Sequence, residues 1–180
     1  MKKEFIAGQI DAIAFTDTGS TRQGHEALLT YERLWEEAQG PTDTVLVNWH
    51  AQGELRAVAG AEAQRWLHIS ANTVLPLTCQ RCLTPVQVPL ISERWFRFVA
   101  DEATAEAQDD QAEEDLLVIS REFDLHALVE DELLMALPVV PRHDSCPTEL
   151  PMSAADADFD AAVAENPHPF AALAALQKKK

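Results

Sequence analysis

Basic residues are scarce in this chain. Its 14 Lys and Arg stand against 30 Asp and Glu, for a formal net charge of −16. Phosphate contacts draw on Lys and Arg in excess, so the balance argues against unaided binding of DNA or RNA and reads instead as a surface for a basic protein partner or simply as a means of staying soluble. Long hydrophobic runs are lacking too. The longest, Leu133 to Val140, is far shorter than the roughly 20 apolar residues that span a bilayer. Glu4, Gln9 and Asp11 interrupt the segment after Met1, whereas a secretory leader needs an apolar stretch of about 7–15 residues. The chain is therefore expected in the cytoplasm, away from membranes. Cysteine is limited to three residues, an odd number that reads in a reducing compartment as free thiols or metal ligands. There is no glycine-rich phosphate loop, no G-x-S-x-G, no H-E-x-x-H and no convincing Ser/His/Asp set, so no enzyme is expected. No internal repeat is present.

The composition is otherwise that of a globular domain, 47% hydrophobic and 24% charged, enough for one core. The apolar pattern predicts a short strand within Phe5–Phe15 and an amphipathic helix over His25–Ala38, closed by Gly40-Pro41. From Thr44 to Ala100 the period is two. It gives strands at Val45–His50, Leu55–Ala59 beyond a turn at Gln52-Gly53, Leu67–Leu77, and Val86–Val99, with Cys79–Pro85 as the last turn. Asp101–Asp115 carries eight acids, no base and no large apolar residue, and is expected to be a disordered loop. Leu116–Ile119 suggests a short strand. Asp124 is a plausible N-cap for a helix ending before Pro138, with Leu125, Leu128, Val129, Leu133, Ala136 and Leu137 as its apolar stripe. The expected fold is α+β: an antiparallel meander of about four strands packed with two or three helices, in one domain over residues 1–145. Residues 146–180 are expected as a mobile acidic tail ending in a short apolar helix and three lysines. Phe170, Leu173 and Leu176, spaced by three in that helix, are candidate partner contacts.

The sharpest local motif is Cys79-Gln80-Arg81-Cys82 at a predicted turn. Three readings stand side by side. Two thiolates three apart can occupy adjacent corners of a zinc tetrahedron, with His143 and Cys146 completing a Cys3His set. Closing the 64-position loop between Cys82 and Cys146 costs roughly 4 kcal/mol, against about 10–16 kcal/mol gained on binding structural zinc. The motif also fits a redox dithiol on Cys79 and Cys82, although such motifs usually open a helix rather than join strands. The third reading is two small residues at a turn with no special chemistry. Glu130-Asp131-Glu132 invites a catalytic role, but on a helix Glu130 and Glu132 point roughly 200° apart and cannot converge. A solvated helix face is expected there. The strand Arg94–Phe98 mixes bases and aromatics, and the Arg65–Phe98 region is the one sizeable stretch of positive sign. Arg81, Arg94 and Arg97 are the candidate RNA contacts.

Three stretches resemble the YceD family, the large ribosomal RNA subunit accumulation proteins. They are Leu77–Pro85 around the two cysteines, Asp124–His143 with its VEDE and ALPVVP runs, and Pro169–Leu176 before the lysines. Ile10–Leu34 resembles the family's N-terminal region more loosely. The resemblance implies a role in the synthesis, processing or stability of the 23S ribosomal RNA. It carries over no catalytic residue. Set beside the net charge, it suggests a non-enzymatic ribosome-biogenesis factor that meets ribosomal or assembly proteins, with pre-23S RNA as a further partner. A direct RNA-binding module on the Arg65–Phe98 sheet is the alternative, and a thiol enzyme a third.

Overall fold

The computed structural model describes residues 8–60 and 62–148, so Phe170, Leu173, Leu176 and most of the expected acidic tail lie outside the described residues. The period-two segment is the sheet. Strand β3 (Leu46–Arg56), β4 (Gln64–Thr78) and β5 (Pro85–Val99) run antiparallel, in the order β2-β3-β4-β5-β6. Strand β2 (Thr21–Ala27) flanks β3 antiparallel, and β6 (Asp115–Val118) adds to β5 in parallel. A separate two-stranded pair joins β1 (Gln9–Ile10) to β7 (Phe123–Asp124). Helices α1 (Ala12–Asp17), α2 (Glu32–Glu37), α3 (Glu102–Gln108) and α4 (Leu125–Met135) complete an α+β fold. Along β4, Leu67, Ile69, Ala71, Leu75 and Leu77 are buried on one face, as their alternation requires. They join Val47, Trp49 and Ala51 of β3, Leu90 and Phe96 of β5, and Leu125, Val129 and Leu133 of α4 in one core. Among the described residues no helix is long and apolar enough to cross a membrane.

Five expectations are corrected, most of them by partners distant in the sequence. The turn at Gln52-Gly53 is absent, and β3 continues through it. Gly53 is there because α1 crosses above it: a Cβ at that position would stand 2.5 Å from the Phe15 carbonyl oxygen. Replacing Gly53 by Ala should therefore destabilise the fold by about 1–3 kcal/mol, the usual cost of forced overpacking. A denaturation midpoint unchanged from wild type would contradict that contact. The helix expected over His25–Ala38 is split. His25 to Ala27 end β2, pairing down to Ala27 opposite Leu46, while a 3-10 turn (Leu28–Thr30) and α2 come next. Leu28, Tyr31 and Leu34 are still buried, so the three-residue spacing reported the buried side without reporting a continuous helix. Near the start, Gln9–Ile10 is the only strand among the described residues of Phe5–Phe15. Asp11 then caps α1 by accepting hydrogen bonds from the Ile13 and Ala14 N–H groups at 3.0 and 3.2 Å.

The acidic stretch 101–115 is not a disordered loop. Asp101 caps α3, accepting from the Thr104 N–H at 2.8 Å, and the segment ends by adding β6 to the sheet. Its last acids are neutralised in place: Glu114 pairs with Arg97 and Asp115 with Arg94. The expected solvated face of α4 is also corrected. Glu130 and Glu132 are buried, at 7% and 4% exposure. As their spacing demands, they point to different neighbours. Glu130 accepts from the Arg33 and Leu34 N–H groups at 2.8 and 3.2 Å and from Arg33 Nε at 2.9 Å. Glu132 accepts from the Ser92 hydroxyl at 2.8 Å and faces Arg94 at 3.5 Å.

Candidate metal centre

The β4–β5 turn brings Cys79 and Cys82 together. The Cys79 N–H donates to the Thr84 carbonyl at 2.9 Å, and the Leu83 N–H returns to the Cys79 carbonyl at 2.9 Å. This closes a tight knuckle in which Leu83 takes a positive φ of 59°. The second arm comes after α4. Pro138 cannot continue the helix, so the chain leaves as an irregular strap, 138–146, with bends at Val139-Val140 and Asp144-Ser145. The strap lies against the knuckle, where the Gln80 N–H donates to the Pro141 carbonyl at 2.8 Å. His143 and Cys146 thus arrive beside the two cysteines.

The four ligand atoms of Cys79, Cys82, His143 and Cys146 lie within 4.8 Å of one another. A tetrahedral zinc with bonds of about 2.0–2.3 Å has ligand–ligand edges of roughly 3.5–3.8 Å. The spacing between Cys82 Sγ and His143 Nδ1 is 3.4 Å, close to one such edge. Outer groups are also in place: the Thr84 hydroxyl sits 3.2 Å from Cys82 Sγ, and the His143 N–H donates to Cys79 Sγ at 3.5 Å. Burial pushes the Cys79 thiol up, but the N–H groups of Cys82, His143 and Arg81 and the His143 ring outweigh it, bringing it down to about 5. The Thr84 hydroxyl and N–H hold Cys82 below the ordinary thiol range. The nearby Cys79 sulfur raises the His143 imidazole, while burial and the other two thiols raise Cys146. Three soft sulfurs and one imidazole converge, with the Cys79 and Cys82 thiols held toward the thiolate, and this donor set fits a tetrahedral divalent metal.

The arrangement fits a redox dithiol less well. Cys79 is buried and the pair sits between two strands, not at a helix N-terminus. The arginines proposed as RNA contacts divide. Arg94 meets Asp115 and Glu132, and Arg97 meets Glu114 and Gln108, while Arg81 stands exposed in the knuckle. On the open face of the sheet the Arg56 guanidinium stacks between Trp66 and Trp95, 4.2 and 4.1 Å from the ring centres. Sequence reasoning missed Glu130 and Glu132 as structural anchors; the available signal was two acids on the border of an otherwise apolar helical stripe.

The knuckle, α4 and the strap all fall inside residues 67–177, the part that matches the family model described as large ribosomal RNA subunit accumulation protein YceD. This chain belongs to the YceD family. A curated YceD protein of Haemophilus influenzae, named large ribosomal RNA subunit accumulation protein, is 38% identical over 106 residues. The match covers 57% of this chain and 60% of that relative, so the chain spans less than two thirds of the relative's length. No solved structure matches the chain. Accumulation of large-subunit ribosomal RNA is what the description of the family and the name of that relative state.

Proposed function

We propose that this protein is a non-enzymatic, cytoplasmic ribosome-biogenesis factor that supports synthesis, processing or stability of 23S ribosomal RNA. It does so by binding basic ribosomal or assembly proteins, on particles that also carry pre-23S RNA. The observation that carries this reading is the distribution of charge. The chain has a net charge of −16, and five of its described arginines (Arg33, Arg56, Arg65, Arg94 and Arg97) are occupied by its own carboxylates. The acids of α3 and the turn after it face outward: Glu102, Glu106, Asp109 and Asp110 line a shallow depression of about 580 Å³. Such a surface attracts and orients a basic protein from solution. A binding role rather than catalysis is supported by the titratable groups. The two buried glutamates are committed to Arg33, Leu34, Ser92 and Arg94, and the thiols face one another. The Cys3His cluster is read as a structural zinc site that clips the strap to the sheet.

Affinity purification from growing cells, with protein and RNA identified in the same eluate, tests this. Basic large-subunit proteins or their assembly factors should be enriched together with 23S precursor. An eluate holding neither would overturn the reading.

A further inference from the structure

Strand β5 is flanked on both sides along only part of its length. β4 pairs with it from Pro85 to Phe98, whereas β6 pairs only with Phe96–Val99. Among the described residues, the outer edge of β5 from Pro85 to Trp95 therefore has no partner strand. Two hydrogen bonds fix which way its backbone groups point. At one end the Cys79 N–H donates to the Thr84 carbonyl, so Thr84 turns inward to β4. At the other the Ile119 N–H, just past β6, donates to the Val99 carbonyl, so Val99 turns outward. Alternation from either end aims the backbone groups of Pro85, Gln87, Pro89 and Ile91 away from the sheet. A groove of about 660 Å³ runs along the start of this edge, between residues 85–89 and the strap, from which Pro138 and residues 140–144 line it. Five consecutive strand residues line it, so it follows the edge of β5 and not one face of the sheet. Pro85 and Pro89 have no N–H. Within the groove the edge thus presents three carbonyls and a single donor, the Gln87 N–H.

We propose that an extended, Lys- or Arg-bearing segment of a partner protein adds to β5 here as a further strand, its alternate apolar side chains lying against Val88 and Val140. The backbone selects the shape. A helix satisfies its own donors and would bury the Gln87 N–H and the three carbonyls unpaired. The two prolines exclude a second copy of this edge: two copies set antiparallel about Gln87 would face Pro85 with Pro89 and exchange bonds only at Gln87. Charge selects the class of segment. Arg142 and Asp144 oppose each other in the lining, which leaves the field of a chain with net charge −16. The surplus carbonyls call for donors, and Lys and Arg side chains are donors only. The inference deepens the functional reading above, rests on it for the class of partner, and names where on this chain that partner docks.

The test is fluorescence anisotropy of the full chain at low salt with a labelled peptide of about nine residues that alternates lysine and valine. Val140→Arg puts a bulky cation into the groove and should weaken binding more than about tenfold. Val139→Arg adds the same charge one residue away, at a 97% exposed position outside the groove lining, and should change affinity less than about twofold. Gln87→Pro deletes the one donor without touching the β4 ladder and should weaken binding about two- to tenfold. Peptides N-methylated at every lysine, or at every valine, each lose the donors of one strand edge. One of the two should lose binding and the other retain it, because a single edge meets β5. Melting temperatures of the variants confirm that the fold persists. No binding of the unmodified peptide, equal affinity of the Val139→Arg and Val140→Arg chains, or equal binding of the two methylated peptides overturns the proposal. If the chain then still co-purifies with basic large-subunit proteins, the functional reading stands and they dock elsewhere; if it does not, both readings fall.

Discussion

Protein purified without chelator is expected to carry about one zinc per chain, and Cys82→Ser to lose most of it. The reason lies in how the strap is attached. Apart from the four side chains around the site, its ties to the knuckle are the Gln80 N–H to the Pro141 carbonyl and the His143 N–H to Cys79 Sγ. Neither resists opening by itself, because exposed backbone hydrogen bonds contribute little net stability. The metal supplies the remaining hold. Its loss should lower the melting temperature by more than about 10 °C, given binding free energies on the order of 10 kcal/mol for such sites. It should also release the strap. Trypsin should then cut rapidly after Arg142, which is protected while His143 and Cys146 are ligated. Thr84→Val removes the hydroxyl 3.2 Å from Cys82 Sγ and should weaken zinc about 10–100-fold without abolishing it. A metal-free preparation that melts with the wild type and resists trypsin at Arg142 would exclude the site.

The legible parts of this molecule are those where one periodicity dominated. The alternation of Val86 to Val99 located β5 to within one residue, and that of Leu67 to Leu77 located β4 except for its first three residues and its last, because one face of each is buried along most of its length. Asp124 and Pro138 framed α4 because both act within a single turn of chain. The ligand set was legible for a similar reason: C-x-x-C is a local geometric statement, and His143 with Cys146 was the one other pair at metal-binding spacing. What sequence could not supply was long-range compensation. Nothing near Gly53 announces that Phe15 will lie across it, so the glycine read as a turn. Nothing in Asp101–Asp115 announces that Arg94 and Arg97, on a strand already completed, will neutralise Asp115 and Glu114 and let that stretch order. Glu130 and Glu132 read as solvated for the same reason, since their partners Arg33 and Ser92 lie 97 and 40 residues away. The family resemblance marked the VEDE run as specific, and the structure supplies its physical content.

Glu130→Ala is expected to destabilise the protein by about 2–4 kcal/mol, a fall of roughly 5–15 °C in melting temperature for a domain of this size. Glu130 does from α4 what a local N-cap does for most helices. Tyr31, the residue before α2, offers no side-chain cap, and the Arg33 and Leu34 N–H groups of the first turn have the Glu130 carboxylate as their acceptor. The same carboxylate pairs with the Arg33 guanidinium at 2.8 Å. Truncation would leave the Leu34 N–H unsatisfied beside a buried leucine and would unfasten α2, which carries Leu34 into the core. Two companions separate the contributions. Glu130→Gln keeps a carbonyl oxygen for the backbone donors and loses only the charge, so it should cost about half as much. Asp131→Ala removes an exposed partner of the same arginine and should cost less than about 1 kcal/mol. Thermal melts of the three variants with zinc held saturating give the comparison, so that the metal site does not contribute to the differences. Equal, small losses for all three would mean that α2 is held by the burial of Leu34 and Tyr31 alone and that the buried carboxylate adds nothing. A large loss confined to Glu130→Ala would show that the VEDE run has a structural role: one acid that starts a distant helix, one that anchors a strand, and an exposed one between them.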